Sequence, residues 1–586
     1  MRSVTVAGPI AGGNARPNVV AARQNRQARR KSWEATLGDA QRPWQRWNPP
    51  CVAWDAHVPV GTLPGLLDAA VARYGDRPAL RFRGHTLSFT RLGEMATRLA
   101  HGLRARGTRP GDHVALYLPN TPWHPIAFFA ALRAGAHVVH LSPLDPPRAL
   151  AYKLADSGAR TLVTTNLPAM LAAALHLLAA GAVDRVLVGD DAAWGSMPDL
   201  AALPQDPRVV SLETLMEEDG GAWPELRPDD VALLQYTGGT TGQPRAAMLT
   251  HANLTAAVES YVLSVQDFER ASGIRVVGVL PLFHIYALTR ILLLSLRLGN
   301  EILLHARFDV TEVLRDIGEH RAAVMAGVPT MWIALANHPD AAACDFSSLR
   351  SALSGGAPMP SDVAARVGRI VGRRLLGGWG MTETSPAGTR IPEEAAPAPG
   401  LIGLPLPGID LRVVSLEDPS VALPPGERGE LAIRGANVFA GYWNRPEETA
   451  AAFRDGWLLT GDIGVMGENG LFRIVDRRKS MIISGGFNVY PAMVENAIYE
   501  HPAVREVIVA GIPDAYRGQA AKAFVTLRAG AAPFDLAELR SFLADKLGRH
   551  ELPMALEIRD ELPRSPAGKL LRSALEQEIA LETRKD

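Results

Sequence analysis

The chain has 586 residues, of which 47% are hydrophobic and 21% are charged. This length and balance exclude a short binding peptide or a disordered tail, and they predict a soluble protein with a large core. Lys plus Arg number 61 and Asp plus Glu number 61, so no global field would concentrate the protein on nucleic acid or anionic lipid. The two cysteines, Cys51 and Cys344, offer no disulfide framework or thiolate metal cage and favour a cytoplasmic location.

Residues 1–50 are predicted to form a disordered basic leader. The first 47 residues carry nine Lys or Arg against two acidic residues and show little apolar periodicity. Such a start is typical of an organelle transit peptide and equally of an overlong leader, and peripheral membrane contact through it is a further alternative. No apolar run reaches the ~20 residues that span a bilayer. The nearest run, residues 168–183, is predicted to be a buried or half-buried helix.

In chain order, short strand-like runs then alternate with amphipathic helices, which predicts a parallel α/β sheet. Ser88 is expected to cap one of these helices and Thr121 to open another. Farther along, two strands separated by Pro/Gly-rich turns indicate an antiparallel region, and a smaller α+β unit begins at residue 481. The predicted strands are 78–82, 113–118, 160–164, 275–280, 301–304, 322–325, 412–414, 430–434, 506–510 and 523–527, and the predicted helices are 88–105, 121–134, 168–183, 491–499 and 535–547.

The most informative segment is Leu-Gln-Tyr-Thr-Gly-Gly-Thr-Thr-Gly-Gln-Pro-Arg at residues 234–245. Glycines let backbone N–H groups converge on phosphate oxygens, threonines add hydroxyls, and the arginine adds fixed positive charge. The spacing is not that of a Walker A loop, which excludes a P-loop kinase or GTPase. A flexible turn is the alternative reading of the run by itself. The predicted phosphate-binding residues are Thr237, Gly238, Gly239, Thr240, Thr241, Gly242 and Arg245.

This segment resembles the signature of the acyl-adenylate-forming superfamily, which includes acyl-CoA synthetases, adenylation domains of peptide synthetases and beetle luciferases. The usual form is Tyr-Thr-Ser-Gly-Thr-Thr-Gly-x-Pro-Lys-Gly, and this chain departs from it at Gly238, at Arg245, where the family has Lys, and at Ala246. Gly238, together with Leu234 and Gln235 ahead of the loop, resembles the fatty-acid CoA ligase subgroup. The resemblance covers roughly residues 54–572. It implies an α/β fold with a large N-terminal adenylating domain of parallel and mixed sheets plus a β-rich subdomain, and a small mobile α+β C-terminal domain. The expected boundaries are 51–475 for the adenylating domain, 476–480 for a hinge and 481–586 for the C-terminal lid.

Two further segments resemble the family's adenine pocket, at residues 354–358 and 378–384. The resemblance implies that their glycines let the backbone approach the purine and that Trp379 offers a stacking face. It also implies that Thr382 bonds the α-phosphate and Glu383 holds Mg²⁺, whose preference for carboxylate oxygens fits this role. The expected adenine-site residues are Gly355, Gly356, Ala357, Gly378, Trp379, Gly380 and Met381.

The remaining motifs follow in the family's order. By resemblance, Asp462 accepts bonds from both ribose hydroxyls, with Arg477 near ribose and phosphate. Lys479 would be the hinge pivot, followed here by Ser480 where the family often has Asp. Gly485 and Gly486 would line the CoA-side face after domain rotation. Lys569 would be the adenylation lysine.

The resemblance implies ATP-dependent ligation of a carboxylic acid to coenzyme A through an acyl-adenylate, with release of pyrophosphate and AMP. A medium- or long-chain fatty acid is the expected substrate, with dicarboxylate and aryl acids as alternatives. His284 falls where the family places an aromatic residue beside the carboxylate, and the pocket walls are expected near Tyr261, Tyr286, Met325 and Gly327. An acyl-AMP ligase that loads a carrier protein is a second enzyme reading. A non-catalytic nucleotide sensor would require loss of Lys569 or Asp462, and both are present.

Overall fold

The computed structural model describes residues 42–48, 52–195, 199–237, 244–265, 271–356, 359, 361–478, 480–484, 487–514, 517–544, 546–548, 551–564 and 570–582. Several predicted site residues lie outside these ranges: Gly238, Gly239, Thr240, Thr241, Gly242, Ala357, Lys479, Gly485, Gly486 and Lys569. The leader up to residue 41 also lies outside them.

Within the described residues the strands, numbered in chain order, are β1 Pro78–Phe82, β2 His85–Ser88, β3 His113–Tyr117, β4 His137–Leu141, β5 Thr161–Thr165, β6 Arg185–Gly189, β7 Val209–Ser211, β8 Val231–Thr237, β9 Arg245–Thr250, β10 Arg275–Gly278, β11 Glu301–Leu304, β12 Val324–Gly327, β13 Ser351–Ser354, β14 Leu375–Leu376, β15 Thr389–Arg390, β16 Leu401–Pro405, β17 Ile409–Val414, β18 Arg428–Gly435, β19 Gly441–Tyr442, β20 Phe453–Arg454, β21 Trp457–Met466, β22 Phe472–Arg477, β23 Ile482–Ser484, β24 Phe487–Val489, β25 Val504–Asp514, β26 Gly518–Leu527 and β27 Ala555–Ile558.

The α-helices of the same residues are α1 Leu63–Tyr74, α2 Phe89–Ala105, α3 Trp123–Arg133, α4 Pro147–Ser157, α5 Pro168–Ala179, α6 Leu212–Leu215, α7 His251–Ser264, α8 Leu294–Leu298, α9 Val310–Gly318, α10 Pro329–Asn337, α11 Ser361–Val371, α12 Pro446–Ala452, α13 Pro491–Tyr499, α14 Leu536–Leu543 and α15 Arg572–Glu582. A π-helix at Ala287–Leu293 runs into α8.

Two mixed sheets form the larger part of the fold. One has the strand order β19-β9-β8-β4-β3-β5-β6-β7, in which β9 is antiparallel to both of its neighbours and the strands from β8 to β7 are parallel. The other has the order β14-β13-β12-β10-β11-β1-β2 and is parallel except for the β1/β2 pair. The carboxyl ends of parallel strands are where open α/β sheets bind ligands, and β8, β12 and β13 end at predicted site segments.

Helix α3 lies in the centre of the core. Its sequence, Trp-His-Pro-Ile-Ala-Phe-Phe-Ala-Ala-Leu-Arg, is buried at every position except Arg133, as expected for a helix that is apolar all round. Thr121 was expected to open this helix, and that detail is wrong. The helix begins at Trp123, and the hydroxyl of Thr121 instead donates to Asp191 at 3.3 Å.

The predicted antiparallel region is the third sheet, with the order β15-β16-β22-β21-β18-β17 and with β20 paired to β21. Residues 412–414 pair antiparallel with residues 430–432, as the pattern predicted. The C-terminal domain carries the fourth sheet, β24-β23-β26-β25 with β27 beside β26, packed against α13 and α14. Both the predicted fold class and the predicted α+β character of this last unit are confirmed.

Residues 42–48 correct the predicted extent of the disordered leader. They form a 3-10 helix, Pro43–Trp47, whose Trp44 is buried and packs on Phe472 with ring centroids 5.5 Å apart. Arg42 forms a buried ion pair with Asp410 at 3.1 Å. The composition of the segment does not predict this order, because the segment is held by only two side chains, Trp44 and Arg42. Both contact residues of the third sheet that lie more than 360 positions away in the sequence.

Arg572 at the start of α15 ties the end of β22 to the C-terminal domain. It lies 2.8 Å from Glu495 Oε1 and 3.6 Å from Asp476 Oδ1. Asp476 Oδ2 also accepts the backbone N–H of Ala492 at 2.7 Å. Burial raises the pKa of both carboxyls, and the positive charge of Arg572 opposes that rise.

We expect Arg572→Met to lower the free energy of unfolding by about 3 kcal/mol at neutral pH, because two buried carboxylates lose their cation. Without Arg572 the pKa of each carboxyl would rise further above its unfolded value. The loss should therefore shrink as the pH falls through these raised values and the carboxyls become protonated. Urea unfolding at several pH values measures both effects.

Arg91→Met is the matched control, because Arg91 and its partner Glu94 are 52% and 54% exposed. It should change the unfolding free energy by less than about 0.5 kcal/mol at any pH. An Arg572 variant as stable as this control would contradict the structural role of the cluster.

Candidate active site

The two ends of the predicted phosphate loop form the base of a hairpin. Thr237 ends β8, Arg245 begins β9, and the two residues are partners in the antiparallel register. The Thr237 Oγ1 atom is buried and has no hydrogen-bond partner among the described residues. A buried hydroxyl without a partner is costly, so this atom is suited to a ligand contact. The glycines and threonines between the two ends remain predictions.

Arg245 is bound on two sides by the protein. Its Nη1 atom lies 2.7 Å from Glu448 Oε2, and its guanidinium lies 4.1 Å from the centroid of the Tyr442 ring. Burial acts to lower the pKa of Arg245, but the hydrogen bond to Glu448 and the neighbouring charges raise it on balance. A planar guanidinium can stack on the Tyr442 ring with its face and pair with the Glu448 carboxylate through its edge. These two contacts therefore depend on arginine, at a position where the family usually has lysine.

Glu383 lies buried in the 3-10 turn Thr382–Thr384, and Thr382 is half-buried beside it. The hydroxyl of Tyr442 donates to Glu383 Oε1 at 2.8 Å. Burial and the Glu383 charge raise the pKa of Tyr442, which keeps this hydroxyl protonated as a donor. Arg245, Tyr442 and Glu383 therefore form one network that joins the phosphate-loop hairpin to the predicted adenine segment.

A single carboxylate at this position fits a cation that arrives with phosphate. Among the described residues no group of three or more His, Cys, Asp or Glu is arranged to hold a metal ion. Mg²⁺ commonly uses only one or two protein carboxylates together with substrate phosphates and water. Glu383, held by Tyr442, is the kind of ligand that such an ion requires.

Asp462 and Trp379 join the ribose motif to the adenine segment. Asp462 is buried in β21 and is the register partner of Arg477 on β22, whose Nε lies 2.6 Å from Asp462 Oδ1. The indole N–H of Trp379 donates to Asp462 Oδ2 at 2.8 Å. Three residues predicted for adenine and ribose binding thus meet at one carboxylate.

Close backbone contacts and a positive φ within the protein account for glycine at several predicted adenine-site positions. A Cβ atom at Gly378 would overlap the carbonyl oxygen of Thr389, and one at Gly380 would overlap that of Pro386. Gly356 has a φ of 76°, which favours glycine. Gly355 lies against the Tyr286 ring, since a Cβ atom at Gly355 would come within 3.1 Å of the ring. Gly355 therefore contacts the predicted acyl wall.

The predicted acyl wall contains polar groups among its aromatic residues. Tyr261 and Tyr286 are half-buried, and the Arg290 guanidinium lies 5.8 Å from the Tyr261 ring centroid. Met325 and Gly327 belong to β12, and Gly327 lies close to Trp332. His284 is accessible at the surface, yet desolvation by the surrounding protein lowers its pKa, which favours the neutral imidazole at neutral pH.

The C-terminal motifs are described only at their edges. Arg564 and Leu570 form an antiparallel bridge, and Lys569 falls between them in the sequence. Ser480 donates its backbone N–H to the Arg477 carbonyl at 3.0 Å. Neither the Lys569 nor the Lys479 prediction is tested by these contacts.

Sequence reasoning missed Tyr442 and Glu448. Tyr442 is 59 residues from Glu383 and lies in a two-residue strand, β19, which pairs with β9. Only the Gly-Tyr-Trp run at residues 441–443 marks the place, and such a run is equally typical of core packing. The pairing of β19 with β9 is what makes Tyr442 part of the site.

Comparison with known proteins agrees with this geometry. Residues 67–443 match the family model described as AMP-binding enzyme, and residues 493–569 match that of the AMP-binding enzyme C-terminal domain. The chain therefore belongs to the AMP-binding enzyme family, and the predicted superfamily is confirmed. Within the described residues no helix is both long enough and apolar enough to cross a bilayer.

Three relatives indicate the range of the family. The chain is 37% identical to a long-chain-fatty-acid–CoA ligase of Bacillus subtilis over 555 residues, 92% of this chain and 98% of the relative. It is 41% identical to a feruloyl-CoA synthase of Amycolatopsis over 498 residues, 84% of this chain and 94% of the relative. The ATP-bound crystal structure of MatB from Rhodopseudomonas palustris superposes with a TM-score of 0.78 at 29% identity, covering 89% of this chain and 100% of MatB.

Removing the Tyr442 hydroxyl should uncouple Glu383 from the hairpin. We expect a double-mutant cycle of Tyr442→Phe and Glu383→Gln, followed by urea unfolding, to give a coupling energy of about 2 kcal/mol, since the acceptor is a charged group.

Tyr74→Phe is the control for this cycle. Its hydroxyl donates to the Arg297 carbonyl at 3.2 Å, so the variant loses a hydrogen bond but should show no coupling to Glu383→Gln. A Tyr442–Glu383 coupling energy near zero would rule out the network as drawn.

Proposed function

We propose that this chain is an acyl-CoA synthetase that activates a medium- or long-chain fatty acid with ATP and transfers it to coenzyme A. The observation that carries the proposal is the convergence of separately predicted motifs. Tyr442 joins Arg245 to Glu383, Trp379 joins the same segment to Asp462, and Gly355 contacts Tyr286. Residues predicted for phosphate and nucleoside binding thus contact one another, and a predicted adenine-site glycine contacts the predicted acyl wall, which supports the proposal.

In the first half-reaction the acid and ATP meet as two anions. A free carboxylate resists substitution because it would have to expel oxide, and its oxygen attacks the α-phosphorus to form acyl-AMP and release pyrophosphate. We assign neutralisation of the developing charge to Lys569 and Thr382, which act by fixed positive charge and hydrogen bonding. Mg²⁺, when bound at Glu383, supplies charge neutralisation on the phosphates.

In the second half-reaction the CoA thiol attacks the acyl carbonyl and AMP leaves, giving the thioester. We propose that the C-terminal domain rotates about Lys479, which withdraws Lys569 and brings Gly485 and Gly486 to the pantetheine. The contacts of residues 476–478 support a hinge there. Asp476 accepts from Ala492 in the C-terminal domain, whereas Arg477 and Arg478 pair with Asp462 and Glu430 of the third sheet.

The identity of the acid has two competing candidates. One relative, a feruloyl-CoA synthase, is 41% identical to this chain. At the predicted acyl wall, the positive charge of Arg290 lies beside the Tyr261 ring. A cation next to a tyrosine suits an acid with a phenol or a distal carboxylate. We retain the fatty acid because its CoA ligase is similar over a larger share of the chain, 92%.

The low cysteine content supports a proposed cytoplasmic location. The basic charge of the leader is the basis for proposing peripheral membrane contact through it.

Lys569→Ala should block the first half-reaction and spare the second. Loss of one charge-stabilising donor typically costs about 10²- to 10³-fold in rate. Acid-dependent exchange of pyrophosphate into ATP measures adenylation, and thioester formation from supplied acyl-AMP and CoA measures transfer.

Lys546→Ala is the control on the same domain, because Lys546 pairs with Glu500 at 2.8 Å, away from the predicted motifs. It should change neither half-reaction. A Lys569→Ala protein that exchanges pyrophosphate at the normal rate would refute the lysine assignment.

A panel of acids should identify the substrate class. We expect pyrophosphate release with C8–C18 fatty acids to exceed release with hydroxycinnamic and dicarboxylic acids by at least about tenfold in kcat/KM, a discrimination that a difference of 1.4 kcal/mol in transition-state binding produces. Parallel assays with and without CoA separate a CoA ligase from a carrier-loading enzyme, since the latter would form acyl-AMP but no CoA thioester. Preference for either polar acid would overturn the fatty-acid assignment.

A further inference from the structure

Two side chains that contact the Asp462 carboxylate differ in how firmly they are held. Trp379 donates its indole N–H to Oδ2 at 2.8 Å, and Arg477 donates to Oδ1 at 2.6 Å. The Asp462 side chain is 2% exposed, whereas that of Arg477 is 61% exposed. Because water competes for the exposed guanidinium, leaving this ion pair costs the Arg477 side chain little. Arg477 is therefore the weaker anchor of the two.

Trp379 is fixed by the strand that follows it. Its backbone N–H donates to Thr389 Oγ1 at 2.9 Å, and its carbonyl accepts the Thr389 N–H at 2.8 Å. The indole packs closely against Gly388, where a Cβ would come within 2.7 Å of its Cε3 atom. The backbone bonds and the contact with Gly388 together help to hold the indole N–H at Asp462.

Arg477 lies at the opposite extreme. It is the last residue of β22 and precedes the segment that we propose as the hinge. Its Asp462 contact can open without disturbing the core, because the rest of its side chain faces solvent. Opening it would expose Oδ1 to a ligand while Trp379 still held Oδ2.

We propose that Trp379 is a positioning residue for nucleotide recognition, which fixes the Asp462 carboxylate in the orientation that the ribose hydroxyls need. This inference rests on the proposed function, in which Asp462 binds ribose. The indole N–H holds Oδ2 by one hydrogen bond. Arg477 yields Oδ1 to the sugar. Without the N–H, the carboxylate loses the contact that opposes its rotation toward Arg477, and each ribose hydroxyl then contributes less to binding.

Deoxy analogues of ATP test this role. In the wild-type enzyme we expect 2′-deoxyATP and 3′-deoxyATP each to lose about 10- to 100-fold in kcat/KM relative to ATP, as for a hydroxyl bonded to a charged group. In Trp379→Phe the loss should fall by about fivefold or more for at least one analogue. Phe keeps an aromatic face without an N–H, and any weaker stacking on adenine affects ATP and its analogues equally. The ratio therefore isolates the sugar contact.

Trp47→Phe is the matched control. It also loses an indole N–H bond, to the Asn469 carbonyl at 2.8 Å, and should leave both analogue ratios unchanged. Melting temperatures of all variants confirm that each is folded. If the wild-type penalties persist in full in Trp379→Phe, the positioning role is overturned and the ribose role of Asp462 stands. If the wild-type enzyme uses ATP and both analogues equally well, the ribose role itself fails, and the inference fails with it.

Discussion

The hydroxyl of Tyr442 makes the contact on which the geometry of the phosphate end depends. It donates a hydrogen bond to the buried Glu383 and accepts one from Arg245. These bonds connect the hairpin that flanks the phosphate loop to the turn that carries Glu383. A buried carboxylate is tolerated only with a donor or a cation beside it. The same requirement that stabilises Glu383 in the fold therefore also fixes its position for the phosphate-bound ion that we propose there.

Charge at the site is local, and the composition of the chain hides it. The net charge is +0, yet Arg245, Arg477 and Arg572 each lie against a carboxylate at or near the site. Pairing of this kind keeps cations in place without making the surface basic, so ATP and an acid can be bound with no general affinity for polyanions. For Arg477 the pairing is also reversible, because the side chain is mostly exposed.

Sequence patterns predicted the elements better than the contacts between them. The helix Phe89–Ala105 with its Ser88 cap and the strand Pro78–Phe82 follow from local periodicity and capping. The chain positions of Trp379, Glu383 and Asp462 follow from motifs. The motifs cannot specify the hydrogen bond between Trp379 and Asp462, because these residues are 83 positions apart in the sequence. Only the packing of β21 against the adenine segment brings the two side chains together. Tyr442 and Trp44 were missed for the same reason: each acts across a tertiary contact.

The contacts of the short segment from Asp476 to Arg478 support the proposal that one site serves two reactions. Consecutive side chains there face different domains: Asp476 is held by the C-terminal domain, and the two arginines bind the third sheet. Rotation of the C-terminal domain would therefore pull on the backbone next to Arg477, the weaker of the two anchors on Asp462. The ribose carboxylate would keep its indole partner throughout, because Trp379 belongs wholly to the large domain. With Trp379 as a fixed contact and Arg477 as an exchangeable one, Asp462 would keep its orientation toward AMP while the C-terminal domain rotates away.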